Sequence, residues 1–172
     1  MIVLGFDPGL AATGFGIVEA EAGRLRLVVY GCIRTPATLP QPERLAQIFE
    51  EAGRLFKLHR PTTVAVERLF FNRNTTSAFD VGHARGILLL LAALEGLPVA
   101  EYTPLQVKQA LVGYGRAEKR QIQEMTKMIL GLETAPRPDD AADAVAVAVC
   151  HCHSARMAGL AAGAGIERCS RS

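Results

Sequence analysis

Ile2-Val3-Leu4-Gly5-Phe6-Asp7-Pro8-Gly9 is an apolar run that ends in a carboxylate and then turns. A short apolar run closed by a Pro-Gly pair predicts a buried strand, because Pro and Gly stop the hydrogen-bond ladder and set a turn. Asp7 therefore falls at the carboxyl end of a strand, outside which the ligands of α/β sheets gather. The same acid would also serve as a turn cap, since Asp bonds readily to backbone two residues on. Partners elsewhere in the chain must separate the two readings.

Beyond the turn, Gly14–Val18 and Leu25–Tyr30 read as two further strands joined through Glu21-Ala22-Gly23, an antiparallel meander. Leu45, Ile48, Phe49, Ala52, Leu55 and Phe56 recur at helical spacing between Gln41 and Leu58, and Pro61 stops that helix. Thr62 to Leu69 predicts a fourth strand, in which Glu67 interrupts an apolar run, followed by the polar loop Asn72 to Thr76. Ser77-Ala78-Phe79-Asp80 has capping-box spacing and opens a helix to Leu97 that carries Gly82 and Gly86. From Ile87 to Leu94 this helix is apolar nearly all round, so more than one face needs cover, and a second subunit would provide it.

Val99–Tyr102 predicts a short strand, and Thr103-Pro104-Leu105-Gln106 opens a helix that ends at Gly113. A further helix is expected over Ala117–Leu132. After the Pro-rich break at Thr134–Pro138, Asp139 opens a last helix running to about His153. The Gly, Ala, Ser and Arg content beyond it predicts a mobile tail over residues 157–172, after one domain over residues 1–156. The element order is that of an α/β protein with a mixed sheet.

The 172 residues, 49% of them hydrophobic, suffice for a core without disulfide or metal staples. Nineteen basic against 17 acidic residues leave a formal charge of +2, which permits a nucleic-acid partner without demanding one. Four unevenly placed cysteines fit reduced thiols in a cytoplasm. The longest apolar run, Ile87 to Leu94, is far short of the ~20 residues of a membrane span. A cytoplasmic protein without a membrane partner is expected.

Asp140 and Asp143, three apart on a helix, leave the same face and can share a ligand. The helix dipole also favours acids at this first turn, which explains Asp139 better than Asp143. Glu67 is harder to explain as structure, because a buried carboxylate must find a cation, a donor or a proton. Were Asp7, Glu67 and the Asp140/Asp143 pair to converge, a hard divalent cation such as Mg²⁺ or Mn²⁺ would offset their repulsion. Scattered structural acids are the alternative. Cys150-His151-Cys152-His153 is no zinc cluster, since only Cys150 and His153 share a helical face.

Gly5 to Leu10 with Thr13-Gly14-Phe15-Gly16, Val66 to Phe70 with Asn74, and Gly82-His83-Ala84-Arg85-Gly86 resemble the RuvC family of Holliday-junction resolvases. So do Gln106-Val107-Lys108-Gln109, Val112 to Gly115, Ala117-Glu118-Lys119 and Asp140-Ala141-Ala142-Asp143, all in the family's order. The resemblance implies an RNase H-like fold with a mixed five-stranded sheet flanked by helices. It implies a homodimeric, metal-dependent endonuclease that nicks two like-polarity strands of a four-way junction symmetrically and leaves ligatable 5′-phosphate and 3′-hydroxyl ends. By position Asp7, Glu67, Asp140 and Asp143 match its catalytic, metal-binding tetrad for two ions, Mg²⁺ or Mn²⁺; some relatives carry His in place of Asp140. Lys108 and Lys119 match basic residues near the scissile strand, and Phe70 an aromatic that stacks on bases near the crossover. Phe71, Arg73 and Asn74 beside it are further candidate DNA contacts, and Arg85 would meet DNA or a second subunit. Partners implied are junction DNA and the RuvA and RuvB branch-migration proteins. Three rivals remain at this level: an ATP-dependent phosphotransferase with a similar Asp-Pro-Gly turn, a non-catalytic junction binder, and an RNA-directed nuclease of the same fold.

Overall fold

The computed structural model describes the backbone of residues 1–68 and 75–169, and side chains over residues 1–68 and 78–158. The elements run β1 (Ile2–Asp7), β2 (Ala12–Glu21), β3 (Arg24–Arg34), α1 (Gln41–His59), β4 (Thr63–Glu67), α2 (Thr75–Leu94), β5 (Val99–Tyr102), α3 (Pro104–Val112), α4 (Lys119–Leu130) and α5 (Asp139–Cys169). They form one mixed sheet in the order β3-β2-β1-β4-β5. The β1–β2 and β2–β3 pairs are antiparallel, and β1–β4 and β4–β5 are parallel. Ala22 and Gly23, with φ of 47° and 81°, make the two-residue turn of the β2–β3 hairpin, whose twist needs positive φ at both positions.

Both faces of the sheet are covered, which is why β1 and β4 read as continuous apolar runs. Leu4, Phe6, Val64 and Val66 face a core with Ile48, Phe56, Leu88 and Leu91 of α1 and α2. Val3 and Ala65 face the opposite core, built on Val145, Val147 and Val149 of α5 with Val107 and Leu111 of α3 and Ile122 of α4. Glycines seat α5 against this second face. A Cβ on Gly14 would overlap the Asp140 carbonyl oxygen, and one on Gly5 the Ala144 carbonyl oxygen; on Gly16 it would lie 2.5 Å from Val145 Cγ2. At these glycines the helix therefore comes into direct contact with the strand backbone.

Several element limits differ from expectation. β4 ends at Glu67, and residue 69 of the expected strand lies outside the described residues. α2 begins at Thr75, so Ser77 lies inside the helix, and it stops at Leu94, short of Leu97, where Gly96 adopts φ of 66°. α4 starts at Lys119 and not at Ala117, because Glu118 takes the extended N-cap conformation and its N–H donates to Gln121 Oε1 at 2.8 Å. The same helix closes at Leu130, before Gly131 in the left-handed region. α5 does not end near His153 but continues to Cys169, as the high helix propensity of its alanines allows.

Gly14→Ala is expected to push the first turn of α5 off the sheet. Overpacking of this kind costs about 1–3 kcal/mol, which for a chain of this size lowers Tm by roughly 3–10 °C. Thermal unfolding checks this against Gly53→Ala, a helical position whose nearest added contact is Leu91 Cδ2 at 3.8 Å and which should be neutral or stabilising. Equal Tm values for the two variants would contradict the close seat.

Candidate active site

The site lies along one transverse row of the sheet. Cys32 pairs with Gly14, Gly14 with Asp7, and Glu67 with Tyr102. Phe6 pairs with Val66, so Asp7 and Glu67 stand side by side one step further along the parallel strands. Residues opposite one another in a sheet share a face, and the whole row faces α5. At one end Cys32 Sγ donates to Asp140 Oδ2 at 3.9 Å, and at the other the Tyr102 hydroxyl lies 2.8 Å from His151 Nδ1.

The Pro8-Gly9 turn does not draw on Asp7 for its bonds. Thr13, fully buried, donates to the Gly9 carbonyl at 2.7 Å and accepts from the Gly9 N–H at 3.5 Å. Asp7 is thereby left to face its neighbours. Burial is the main cause that pushes its carboxyl up, to about 8, followed by the charges of Glu67 and Asp143, a hydrogen bond with Glu67 and the charge of Asp140. Burial also raises Glu67, although the bond from Asp7 opposes that rise. Crowding against Glu67 and the helix-borne acids thus favours the protonated form of Asp7.

Asp140 and Asp143 come from the start of α5, where the helix N-terminus favours negative charge. Burial raises the Asp143 carboxyl, and a hydrogen bond and the charge of Lys119 oppose this. Lys119 Nζ lies 2.9 Å from Asp143 Oδ2 and 3.2 Å from Asp139 Oδ2. Burial alone would lower its pKa, but Asp143 and then Asp139 outweigh burial and raise it. Asp139 points to solvent, 69% exposed, and Lys119 holds its carboxyl below the usual range. Beside the acids opens a cavity of about 250 Å³ lined by Glu67, Asp143, Lys108 and Lys119, with apolar walls from Val107, Ile122 and Val147.

The structure thus brings Asp7, Glu67, Asp140 and Asp143 to one place, with Lys108 and Lys119 at its edge. Phe70, Phe71, Arg73 and Asn74 lie outside the described residues. Arg85 pairs within the chain, its Nη2 2.7 Å from Glu101 Oε1. The Cys-His run of α5 is packing: Cys150 and Cys152 are buried, and His153 Nδ1 lies 3.2 Å from the Ala110 carbonyl oxygen. Sequence reasoning missed Thr13, Cys32 and Gln123, whose Nε2 donates to Asp139 Oδ1 at 3.2 Å. Strand register alone signals Cys32, two strands from Asp7 in the same row.

Four carboxylates are a hard-oxygen donor set suited to Mg²⁺ or Mn²⁺. As they stand, no three His, Cys, Asp or Glu side chains among the described residues form a group that could hold an ion. Burial and the neighbouring acids push the Asp7 carboxyl up, a repulsion that a cation among these oxygens would relieve. The residues fit a divalent cation on that ground.

The raised Asp7 pKa has a stability consequence. In the unfolded chain Asp7 ionises near the ordinary 3.8, whereas in the fold it holds its proton to about 8. Its contribution is therefore fully favourable below 3.8 and is lost as pH rises towards 8. Cation-free Asp7→Asn, which carries no ionisable group there, should melt above the unsubstituted protein at pH 8 by at least about 4 °C, with the gap closing near pH 4. A gap independent of pH, read by calorimetry in chelator, would contradict the assignment.

The sequence profile of the family described as crossover junction endodeoxyribonuclease RuvC matches residues 3–151. The crossover junction endodeoxyribonuclease RuvC of Syntrophomonas wolfei is 57% identical over 157 residues, covering 91% of each chain. The structure of Thermus thermophilus RuvC superposes with a TM-score of 0.86 at 42% identity, over 92% of this chain and 97% of that one. The same protein in complex with a Holliday junction substrate gives a TM-score of 0.88 at 42% identity, over 92% of this chain and 96% of that one. A match over residues 3–151 and a relative at 57% identity show that this chain belongs to the RuvC family of crossover junction endodeoxyribonucleases.

Proposed function

We propose that the protein resolves four-way DNA junctions by symmetric paired nicks in strands of like polarity, leaving 5′-phosphate and 3′-hydroxyl ends, and so serves recombination and repair. The observation that carries this reading is the convergence of Asp7, Glu67, Asp140 and Asp143, matched in order to a family whose Thermus thermophilus member is known in complex with a Holliday junction. The four acids would hold divalent cations, two per site and Mg²⁺ by preference, with Mn²⁺ as a substitute. Bound there, such ions supply a water of lowered pKa and positive charge for the departing 3′ oxygen.

The chain's own groups do the rest. Glu67 and Asp7 sit on adjacent rigid strands, which limits how far the donors shift during reaction. Lys108 and Lys119 at the cavity edge would neutralise the phosphate and its transition state. The segment after β4, with Phe70, Phe71, Arg73 and Asn74, would meet the crossover by stacking and backbone contacts. Symmetric cutting requires two sites, and a second copy would bring the other. Phe79, Leu90 and Leu94 of α2, 69%, 50% and 67% exposed, offer it an apolar face, and nothing lies within 4 Å of a Cβ built on Gly86. Among the described residues no helix is long and apolar enough to cross a membrane, and we assign the protein to the cytoplasm. There RuvA and RuvB would be its branch-migration partners.

A labelled synthetic junction tests the reading. Paired nicks that need Mg²⁺ or Mn²⁺, stop with chelator and spare linear duplex and RNA–DNA hybrid are expected, with Asp7→Asn lowering the rate by about 10³-fold or more. Binding without cutting would contradict the carboxylate mechanism, and cutting of the hybrid alone would make it an RNA-directed nuclease. Lys108→Ala should weaken junction binding and reduce the slope of log K against log salt by about 1; an unchanged slope would remove Lys108 from the phosphate contacts.

A further inference from the structure

Lys119 stands between two carboxylates of different kinds. Asp139 and Asp143 are four apart in the first turns of α5, so they sit one above the other on one face and a single ammonium spans both. Asp143 is the more buried of the two, its side chain 35% exposed against 69% for Asp139. Asp143 also acts by its charge on Asp7 and Glu67. Asp139 has a second partner besides the shared lysine. Lys119 lies 3.2 Å from its Oδ2, and Gln123, one turn further along α4, donates to its Oδ1 at 3.2 Å. α4 thus grips Asp139 from outside the carboxylate cluster with two side chains of one helical face.

An ammonium and a divalent cation on the same carboxylate repel one another. When a cation takes Asp143, Lys119 therefore loses that partner, and an exposed carboxylate within reach decides where it goes. We propose that Lys119 holds Asp143 in the cation-free protein and, on cation binding, keeps only its contact with Asp139, making Asp139 a positioning residue for this phosphate-facing lysine and not a ligand of the cation. The proposal rests on the reading of Asp7, Glu67, Asp140 and Asp143 as cation ligands. It gives the additional acid beside Asp140 a role that the cation itself does not require. The lysine is charged, anchored and at the edge of the cavity at the moment when a phosphate enters.

Calorimetric titration with Ca²⁺ and no DNA, together with amine labelling of Lys119 read by mass spectrometry, tests this on the full chain and on K119Q, D139N, D139E and D7N. K119Q should bind Ca²⁺ about two- to fivefold more tightly, the scale of losing an exposed ion pair that competes for Asp143. D139N should keep the stoichiometry and an affinity within about twofold, because Asp139 partners Lys119 before and after the exchange. In D139N, Ca²⁺ should raise labelling of Lys119 about threefold or more, since no second carboxylate retains it, while the unsubstituted protein and D139E change little. On junction substrate, D139N should lose kcat/KM and D139E should recover it, a rescue by the retained charge that a merely structural role would not give. Loss of Ca²⁺ affinity by about tenfold or more in D139N would make Asp139 a ligand and overturn the proposal. Labelling in D139N that ignores Ca²⁺ would overturn it as well. D7N separates the two levels: Ca²⁺ binding undiminished in D7N would sink the carboxylate site itself, whereas binding lost in D7N with no response of Lys119 in D139N would sink the exchange alone.

Discussion

Like charges forced together at the edge of a sheet are the constraint on which the rest of this structure depends. Asp7 and Glu67 are neighbours on parallel strands, and Asp140 and Asp143 are lowered onto them by a helix. Burial and repulsion together push Asp7 up to about 8, far above an isolated aspartate. An arrangement that costs stability unless something positive is present is expected of a functional site and not of a structural one. The surrounding fold bears that cost through two dry cores, one on each face of the sheet.

The cluster depends on how closely α5 approaches the strands. Gly5, Gly14 and Gly16 clear a lane across β1 and β2, and the helix backbone lies in it. Gly14 has two roles, since it stands in the row between Asp7 and Cys32 and also lies beneath Asp140. A side chain at this point would separate the strand-borne acids from the helix-borne ones. Thr13, beside it on β2, bonds the Pro8-Gly9 turn and so leaves Asp7 out of the turn's own hydrogen bonds. The position of the Asp7 carboxylate is thus set by residues that carry no charge.

Much of this was legible in the chain. The apolar run into Asp7, the acid interrupting an otherwise apolar β4, and the Asp140/Asp143 spacing each pointed to side chains that the fold sets near one another, because burial and helical period are local properties. The order of strands and helices followed from the same patterns. What was not legible was non-local. The glycines of β2 reveal their purpose only once α5 lies on them, and Cys32 joins the row only through pairing two strands away. The end of α5 was misplaced because a Gly- and Ala-rich composition reads as tail or helix according to context. Asp139 reads by sequence as an acid at a helix start, and the reach of Lys119 and Gln123 to it from α4 is visible only in the fold.

The most direct test of the central claim, that four carboxylates from two strands and one helix form a single cation site, is anomalous diffraction from crystals of the protein soaked in Mn²⁺. The account predicts anomalous density in contact with Asp7, Glu67, Asp140 and Asp143, with Asp139 still on Lys119. Manganese bound to Asp139, or bound away from Asp7 and Glu67, would contradict it.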